Sequence, residues 1–359
     1  MKNFLLLCTV FLLIGCSTSR NVSTTQVKTL NQKITNSSIF QKGFTGFVLF
    51  DPATNQTLEN IYGDKFFTPA SNIKTLTYFA TDYFLGDSIP ALRYVVRGDS
   101  LIFVGTGDPS FLNDEFAEND KVLNFFTNRR ERLFFTSSNY EDNRYGKGWM
   151  WDDYPYSFQS EKSAFPIYGN VVKFSKKVPI ESIEITPNDF EGATIFINKE
   201  NQSSVIRKER LNEYEVNFKA ITRFPFERKV PFIYSDSLFV KLLSNEIDKP
   251  VELLQNYSFS KEESQVIYAT HADSLFQKLM QDSDNQIAEQ LLLLASEEVF
   301  GILNLDKAIQ LAKDSLMEDL TEKPVWVDGS GLSRYNKICL LYTSPSPRDA
   351  TLSRMPSSA

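Results

Sequence analysis

The sequence predicts a mixed α/β (α+β) fold in which two distant segments form one domain around a β-rich insertion. Residues 44–61 have the alternation and turn residues of a hairpin, and a helical pattern follows them. Short strand-like runs then occupy the middle of the 359-residue chain, and helical spacing returns only after about residue 266. Two motifs that would share one site lie in the first and last of these regions. The two ends must therefore fold together, and the middle must be a separate module.

The first 16 residues have the pattern of an export signal. Lys2 supplies a positive charge, and residues 4–14 form an apolar run that is too short to span a bilayer. The run ends in Leu-Ile-Gly followed by Cys16, which resembles the lipobox of bacterial lipoproteins, where the cysteine becomes the lipid-modified N-terminus. We predict a lipoprotein signal peptide at 1–16, with a plain signal peptide as the alternative. The Ser/Thr-rich residues 17–38 then predict a flexible tether.

Residues 39–84 predict the first half of the split domain, a hairpin and then a helix. Thr68 is placed to cap that helix, and Pro69 suits its first position, where a missing N–H has no partner to lose. Apolar residues recur at helical spacing from Ile73 to Tyr83. This face is therefore expected to pack against a core.

Residues 85–265 predict an inserted, mostly β domain. Its strand-like runs are separated by Gly, Pro, Asn and Asp, which break regular structure. The runs lie at 93–96, 101–104, 182–186, 193–197, 213–218 and 230–234. Helical patterns return at 274–280, 286–300 and 303–319. We expect 266–338 to complete the domain that 39–84 begins.

Ser71 and Lys74 are the first candidate catalytic pair, because residues i and i+3 share a helix face. Serine is a poor nucleophile until a neighbouring base takes its proton, and the usual base, histidine, occurs once, at His271. A lysine can replace it where burial lowers its pKa. The free N–H groups at the helix start would also stabilise an oxyanion. Taken alone, this spacing also fits a solvated helix face.

Ser283-Asp284-Asn285 is the second candidate motif, on a connection just before an amphipathic helix. Ser283 could relay a proton to a leaving amine, and Asn285 could hold a substrate amide. Capping of the following helix by Ser283 or Asp284 is the alternative role.

Three segments together resemble the D-alanyl-D-alanine carboxypeptidase/endopeptidases of peptidase family S13, the class C low-molecular-mass penicillin-binding proteins. They are FTPASNIK at 67–74, MQDSDNQIAEQ at 280–290 and DGSGLSRYN at 328–336. The segments GTGDP at 105–109 and GWMWDD at 148–153 also resemble the family's inserted region. The likeness extends over about residues 43–336.

The resemblance implies a penicillin-binding, β-lactamase-like serine transpeptidase fold with extra domains inserted between the first and second motifs. It implies cleavage of the terminal D-Ala from peptidoglycan stem peptides, or of peptide cross-links, through an acyl-enzyme. Ser71 would be the nucleophile and Lys74 its base, while Ser283 and Asn285 would form the second motif. β-Lactam antibiotics would act as covalent inhibitors.

Asp153 and Asp284 are the candidate substrate-binding residues. Asp153 falls near a family position that recognises the free amino group of the cross-linking diamino acid. A carboxylate flanked by Trp151 and Tyr154 could hold an ammonium group. An ordinary surface aspartate is the alternative for Asp153. The Asp328 turn is expected to be structural and close to the site.

The third motif of the family, Lys-Thr-Gly or a relative, does not occur in the sequence. We therefore expect the C-terminal part of the catalytic sheet to be missing and the chain as written to be inactive. Residues 339–359 are Ser/Pro-rich and have the character of translated adapter sequence rather than native protein, with a natural disordered tail as the alternative.

Composition excludes several classes of protein. The formal net charge of −7 argues against nucleic acid as a partner. The three cysteines, Cys8, Cys16 and Cys339, offer neither a disulfide framework nor a metal site. We expect no metal and no cofactor.

These observations predict a lipid-anchored, periplasm-facing serine D-Ala-D-Ala carboxypeptidase of the bacterial cell envelope. Its expected partners are peptidoglycan peptides, β-lactams and, through the anchor at Cys16, a membrane. The main alternative is a non-catalytic, penicillin-binding-like lipoprotein that holds peptidoglycan. A β-lactamase is disfavoured by the large β insertion, and an envelope lipoprotein without any site is a further alternative.

Overall fold

The computed structural model of the chain describes residues 24–116, 120–177, 182–200, 202–320 and 322–340. The predicted signal peptide, the lipidation site at Cys16 and residues 341–359 of the predicted tail lie outside these ranges. The chain divides into two compact units, one formed by Met1–Lys65 with Cys339–Ala359 and the other by Phe66–Ile338. The predicted division into 39–84 with 266–338 and an insertion at 85–265 remains a prediction.

The first unit contains the predicted hairpin. Strands β1 (Phe47–Asp51) and β2 (Gln56–Ile61) pair antiparallel, with Phe47 opposite Ile61 and Asp51 opposite Gln56. The Asp51 carboxylate accepts hydrogen bonds from the Ala53 N–H at 3.0 Å and the Thr54 hydroxyl at 2.8 Å. These two hydrogen bonds close the turn between the strands. The hairpin prediction is confirmed.

Helix α1 (Thr24–Thr35) occupies part of segment 17–38, which was predicted to be a flexible tether. In the sequence, Leu30 and Ile34 recur at helical spacing, a signal that the Ser/Thr-rich composition obscured. Asn31 Nδ2 donates to Glu59 Oε1 of β2 at 2.9 Å, which ties the helix to the hairpin. The helix thus belongs to a folded unit.

The second unit mixes helices and strands. Its helices are α2 (Lys74–Phe84), α3 (Asp120–Thr127), α4 (Asp236–Ile247), α5 (Ala272–Gln277), α6 (Asn285–Phe300) and α7 (Leu305–Leu316). Its strands are β3 (Phe66–Phe67), β4 (Ser88–Arg97), β5 (Ser100–Gly105), β6 (Arg132–Phe135), β7 (Val171–Lys176), β8 (Glu184–Thr186), β9 (Thr194–Ile197), β10 (Val205–Arg207), β11 (Tyr214–Asn217), β12 (Phe226–Pro231), β13 (Val251–Leu253) and β14 (Gln265–His271). The last strand among the described residues is β15 (Ile338–Cys339).

Three sheets order the middle of the chain. A five-stranded sheet runs β13-β6-β5-β4-β14, with β5–β6 and β6–β13 parallel and the other pairs antiparallel. Two three-stranded sheets run β12-β7-β8 and β10-β11-β9. The mixed α/β fold predicted from the sequence is confirmed.

Helices α3 and α4 interrupt the region that was predicted to be mostly β. Ser235 caps α4 by accepting from the Leu238 N–H at 3.1 Å, and Phe239, Leu242 and Leu243 are buried. A capping serine before apolar residues at helical spacing was a usable sequence signal for this helix.

Helix α6 is the core of the second unit. Every residue from Gln286 to Glu297 is buried, and the helix packs against α2 and α7. Buried polar side chains on such a helix require partners. Gln290, for example, donates to the Gly107 carbonyl at 2.7 Å and accepts from the Ser163 N–H at 3.2 Å. Within the described residues, none of the helices combines the length and apolar character that a bilayer span requires.

We expect Arg93→Met to lower the free energy of unfolding by about 3–5 kcal/mol, because it leaves a buried carboxylate unpaired. Arg93 Nε lies 2.5 Å from Glu297 Oε1, and the two side chains are 7% and 1% exposed. Urea unfolding measures the change.

The matched control is Arg97→Met at the exposed Arg97–Glu263 pair, which should change stability by less than about 1 kcal/mol. A double Arg93→Met/Glu297→Leu variant should recover most of the loss, since no isolated charge remains. Equal losses of stability in Arg93→Met and Arg97→Met would contradict the greater importance of the buried ion pair.

Candidate active site

Ser71 lies in a tight turn that leads into α2. Residues Ala70–Ile73 form a 3₁₀ turn, and the α-helix begins at Lys74. The prediction that Thr68 caps the helix is wrong: the turn has no side-chain cap, and the Thr68 hydroxyl accepts a hydrogen bond from Lys337 Nζ at 2.6 Å. Ala70 has a left-handed backbone (φ 47°), a conformation that an alanine at this position does not predict. The Ser71 side chain is exposed at this turn.

The Lys74 amine is the point at which three distant parts of the chain meet. Lys74 is 2% exposed. Its Nζ lies 3.4 Å from Ser71 Oγ, 2.6 Å from Asn285 Oδ1 and 2.8 Å from the Ser330 carbonyl oxygen. The two short contacts come from residues 211 and 256 positions later in the sequence.

This geometry suits a neutral amine. A neutral lysine has two N–H donors, which match the two acceptors at short distance, and one lone pair, which is then left for the Ser71 hydroxyl proton. Burial lowers the pKa of Lys74, while the charges of Asp284, Glu289 and Asp328 oppose that shift. The longer Ser71 contact is of the kind that tightens when a substrate binds.

The Ser283–Asn285 segment reaches the amine through Asn285. It follows a π-helical turn, Lys278–Asp282, of the kind that often occurs at functional sites, and Ser283 has a left-handed backbone (φ 57°). Ser283 is exposed, and among the described residues its side chain makes no hydrogen bond with Ser71 or Lys74.

Asp284 and Asn285 have defined partners. Asp284 Oδ1 accepts from the Ile287 N–H at 2.7 Å and so caps α6, while burial raises the pKa of this carboxyl. Asn285 donates through Nδ2 to the Phe158 carbonyl at 2.9 Å, which leaves its second N–H for another acceptor. A role of Asp284 in binding substrate stays a prediction.

The turn Asp328–Gly331 presents two carbonyl groups to α2. The Ser330 carbonyl accepts from Lys74, and the Gly329 carbonyl accepts from the Thr77 hydroxyl at 2.7 Å. Asp328 holds the turn closed, because its carboxylate accepts from the Gly331 N–H at 3.0 Å and the Ser333 N–H at 2.7 Å.

Two glycines make this approach possible. A Cβ on Gly329 would lie 2.6 Å from the Ala288 carbonyl of α6, and a Cβ on Gly331 would overlap the Ala70 carbonyl beside Ser71. Gly331 also has φ 86°, which disfavours any side chain. The predicted structural turn is therefore packed directly against the start of the Ser71 helix.

The segment that contains Asp153 is tied to the same site at two points. Trp149 Nε1 donates to Asp328 Oδ2 at 2.8 Å, and the Phe158 carbonyl accepts from Asn285. Gln159 Nε2 donates to the Met150 carbonyl at 2.8 Å and closes the segment on itself. Asp153 lies between these ties in a short 3₁₀ turn and is partly exposed. Its role in recognising an ammonium group remains a prediction.

The sequence did not predict the parts of the site that act through main-chain groups, or the buried side chains that contact those groups. These are Thr77, Glu289 and the Ser330 carbonyl. Glu289 is fully buried, and its Oε1 accepts from the Ser330 N–H at 2.8 Å. A glutamate at i+4 from Asn285, and therefore on the same face of the predicted helix, was the available signal.

We expect Gly331→Ala to lower the free energy of unfolding by about 2–4 kcal/mol, because it adds a steric overlap to an unfavourable backbone conformation. Gly98 is the matched control, since it has φ 61° but open space around the Cβ position. Gly98→Ala should cost only about 1 kcal/mol. Urea unfolding of both variants tests this, and equal losses would contradict the proposed close approach to Ala70.

The fold of the chain is similar to that of known penicillin-binding proteins. The crystal structure of penicillin binding protein 4 (dacB) from Haemophilus influenzae superposes with a TM-score of 0.64 at 20% identity, over 88% of this chain and 77% of that chain. The structure of that protein complexed with a novel beta-lactam superposes with a TM-score of 0.58 at 20% identity, over 87% and 74%. No curated protein matches this chain closely enough in sequence to be called a relative.

The family assignment comes from the sequence itself. The model of the D-Ala-D-Ala carboxypeptidase 3 (S13) family matches residues 26–222 and 237–340. These ranges include all three segments on which the resemblance was based, and they make up most of the chain. The chain belongs to the D-Ala-D-Ala carboxypeptidase 3 (S13) family.

Proposed function

We propose that the chain performs serine acyl transfer on D-Ala-D-Ala peptides, with Ser71 as nucleophile and Lys74 as its base. The observation that supports this most directly is the Lys74 amine, which is buried, held by two neutral acceptors and directed at Ser71. No imidazole takes part, because His271 is exposed and caps α5 by accepting from the Asp273 N–H at 3.3 Å.

The reaction would proceed in two steps. Neutral Lys74 would accept the Ser71 proton as Oγ attacks the carbonyl carbon of the scissile amide. Ser283 would then relay that proton from Lys74 to the departing amine of D-Ala, so that Lys74 is neutral and Ser283 is a hydroxyl again when the acyl-enzyme has formed. Water would then attack the acyl-enzyme, with the Lys74 amine as base, and Lys74 would return the proton to Ser71 as the acyl group leaves. Asn285 would orient the substrate amide with its second N–H. A β-lactam would follow the first step, but its amine stays attached to the acyl group.

The proposed substrates are peptidoglycan stem peptides and cross-links. Asp153 would bind the free ammonium group of the diamino acid, and Asp284 would contribute negative charge beside Lys74. The sequence contains no Lys-Thr-Gly or Lys-Ser-Gly triplet, so the substrate carboxylate has no candidate cation of that kind. We therefore propose that the 359-residue chain is close to inactive, and we expect its acylation to be slow.

A fluorescent penicillin tests the acyl-enzyme. We expect slow covalent labelling that Ser71→Ala abolishes and that Lys74→Met slows by about 10²–10⁴-fold, because the base is lost. The rate should rise with pH as Lys74 loses its proton, at a lower pH than for an ordinary lysine, because burial lowers the pKa of Lys74. Gel fluorescence against time at several pH values measures the rates.

The control is His271→Asn, which keeps a capping acceptor and should label at the wild-type rate. Labelling that persists in Ser71→Ala would contradict the proposal, as would complete absence of labelling after long exposure. The second outcome would favour a non-catalytic lipoprotein that holds peptidoglycan. Rapid, stoichiometric labelling would contradict only the proposed inactivity.

We also propose that the protein is a lipoprotein of the bacterial envelope, anchored through Cys16 and facing the periplasm. The supporting observation is the apolar run that ends in Leu-Ile-Gly-Cys. In a bacterium that processes lipoproteins, the full chain should incorporate labelled palmitate and partition into detergent. Cys16→Ser should abolish both, and Cys8→Ser should change neither. Equal incorporation in Cys16→Ser and wild type would rule out this anchor.

A further inference from the structure

Two successive peptide units of the Asp328–Gly331 turn are each held at both ends. The Gly329–Ser330 peptide accepts from the Thr77 hydroxyl of α2 through its carbonyl at 2.7 Å, and its N–H donates to Glu289 of α6 at 2.8 Å. The next peptide accepts from the Lys74 amine through the Ser330 carbonyl, and its N–H donates to Asp328 at 3.0 Å. The Ser330 carbonyl that holds the amine is therefore joined, through the Ser330 Cα, to a peptide that is clamped between two helices.

Glu289 is a fully buried part of this arrangement. It is 0% exposed, and among the described residues its second oxygen, Oε2, has no hydrogen-bond partner. A buried carboxylate that is only half satisfied is unfavourable for stability alone. The free-energy cost of burying this carboxylate therefore points to a role at the site rather than in stability.

The charges that surround Glu289 come from several elements. The charge of Asp328 raises the pKa of Glu289, and the charge of Lys162 lowers it. The charge of Glu289 in turn raises the pKa of Tyr140. Burial raises the pKa of Glu289 to about 7. The Glu289 charge in turn acts on Lys74, in the direction that favours the protonated amine.

We propose that Glu289 is a positioning residue for the Lys74 amine: it orients the Ser330 carbonyl through the clamped peptide, and its charge sets how readily the amine gives up its proton. This inference deepens the proposed function and rests on it. Asn285 and Glu289 lie at i and i+4 on α6 and share one face of the helix. Asn285 contacts the Lys74 amine directly, and Glu289 holds Ser330, the residue whose carbonyl also contacts that amine.

The sign of the effect depends on pH. Above about pH 7 Glu289 is ionised and favours charged Lys74, whereas well below that pH it is neutral and has no such effect. Glu289→Gln keeps an acceptor for the Ser330 N–H but removes the charge. The Lys74 ionisation midpoint should therefore fall, and the pH at which acylation becomes fast should fall with it. Glu289→Asp keeps the charge but loses the reach to Ser330.

The primary measurement is a pH titration of Lys74 by NMR, in full-length protein labelled with [ε-¹³C]lysine and assigned with Lys74→Arg. We expect the midpoint to fall in Glu289→Gln and to stay near the wild-type value in Glu289→Asp. Labelling by a fluorescent penicillin is the second measurement. Glu289→Asp should be about 10- to 100-fold slower at every pH, because the carbonyl is displaced. Thermal unfolding first establishes that each variant folds. If only one variant folds, it still tests its part of the proposal: Glu289→Gln tests the effect of the charge on Lys74, and Glu289→Asp tests the orientation of the Ser330 carbonyl.

The matched control is Asp108→Asn. Asp108 is also a fully buried carboxylate, with a pKa raised by burial to about 6, but it is not among the charges that act on Lys74. It should move neither the midpoint nor the labelling rate. A Glu289→Gln midpoint that coincides with wild type, or an equal shift in Asp108→Asn, overturns the proposal. A shifted midpoint in a protein that never labels would instead overturn the proposed acyl transfer and leave this inference standing.

Discussion

The site depends on how one buried amine is held. Lys74 Nζ has two short contacts, to Asn285 Oδ1 and to the Ser330 carbonyl, and a longer one to Ser71 Oγ. Both short partners are neutral acceptors, so neither forces the amine to stay protonated as a carboxylate in direct contact would. Burial then favours the neutral form further. The constraint on the rest of the second unit is geometric, because two elements from the late part of the sequence must converge on the first turn of α2.

That convergence explains why polar groups are tolerated in an otherwise apolar core. Helix α6 is buried along most of its length, yet it contains Glu289, Gln290 and Glu297. Gln290 joins α6 to main-chain atoms of the middle region, Glu297 pairs with Arg93 on β4, and Glu289 holds the turn beside Lys74. Each of these groups fixes the position of α6 against a different neighbour. Apolar packing alone would allow small displacements that the Lys74 contacts could not accommodate.

Sequence patterns predicted the hairpin, the Ser71 helix, α6 and the mixed α/β fold, because alternation, spacing and capping residues are local signals. The motif residues could also be predicted, because the sequence shows directly which side chains recur at a fixed spacing. The Ser330 carbonyl was not, because every residue has a carbonyl group and only the fold orients one of them. The left-handed conformations of Ala70 and Ser283 and the missing cap at Thr68 escaped for the same reason. Helices α1 and α4 were missed because local composition was given more weight than spacing.

The sequence separation of the Lys74 contacts has a consequence for biosynthesis. Asn285 and Ser330 emerge from the ribosome 211 and 256 residues after the lysine that they hold. Until they arrive, the amine stays hydrated and protonated, and the neighbouring hydroxyl is an ordinary serine. The buried environment that lowers the pKa of Lys74 is therefore acquired only after the late segment has docked.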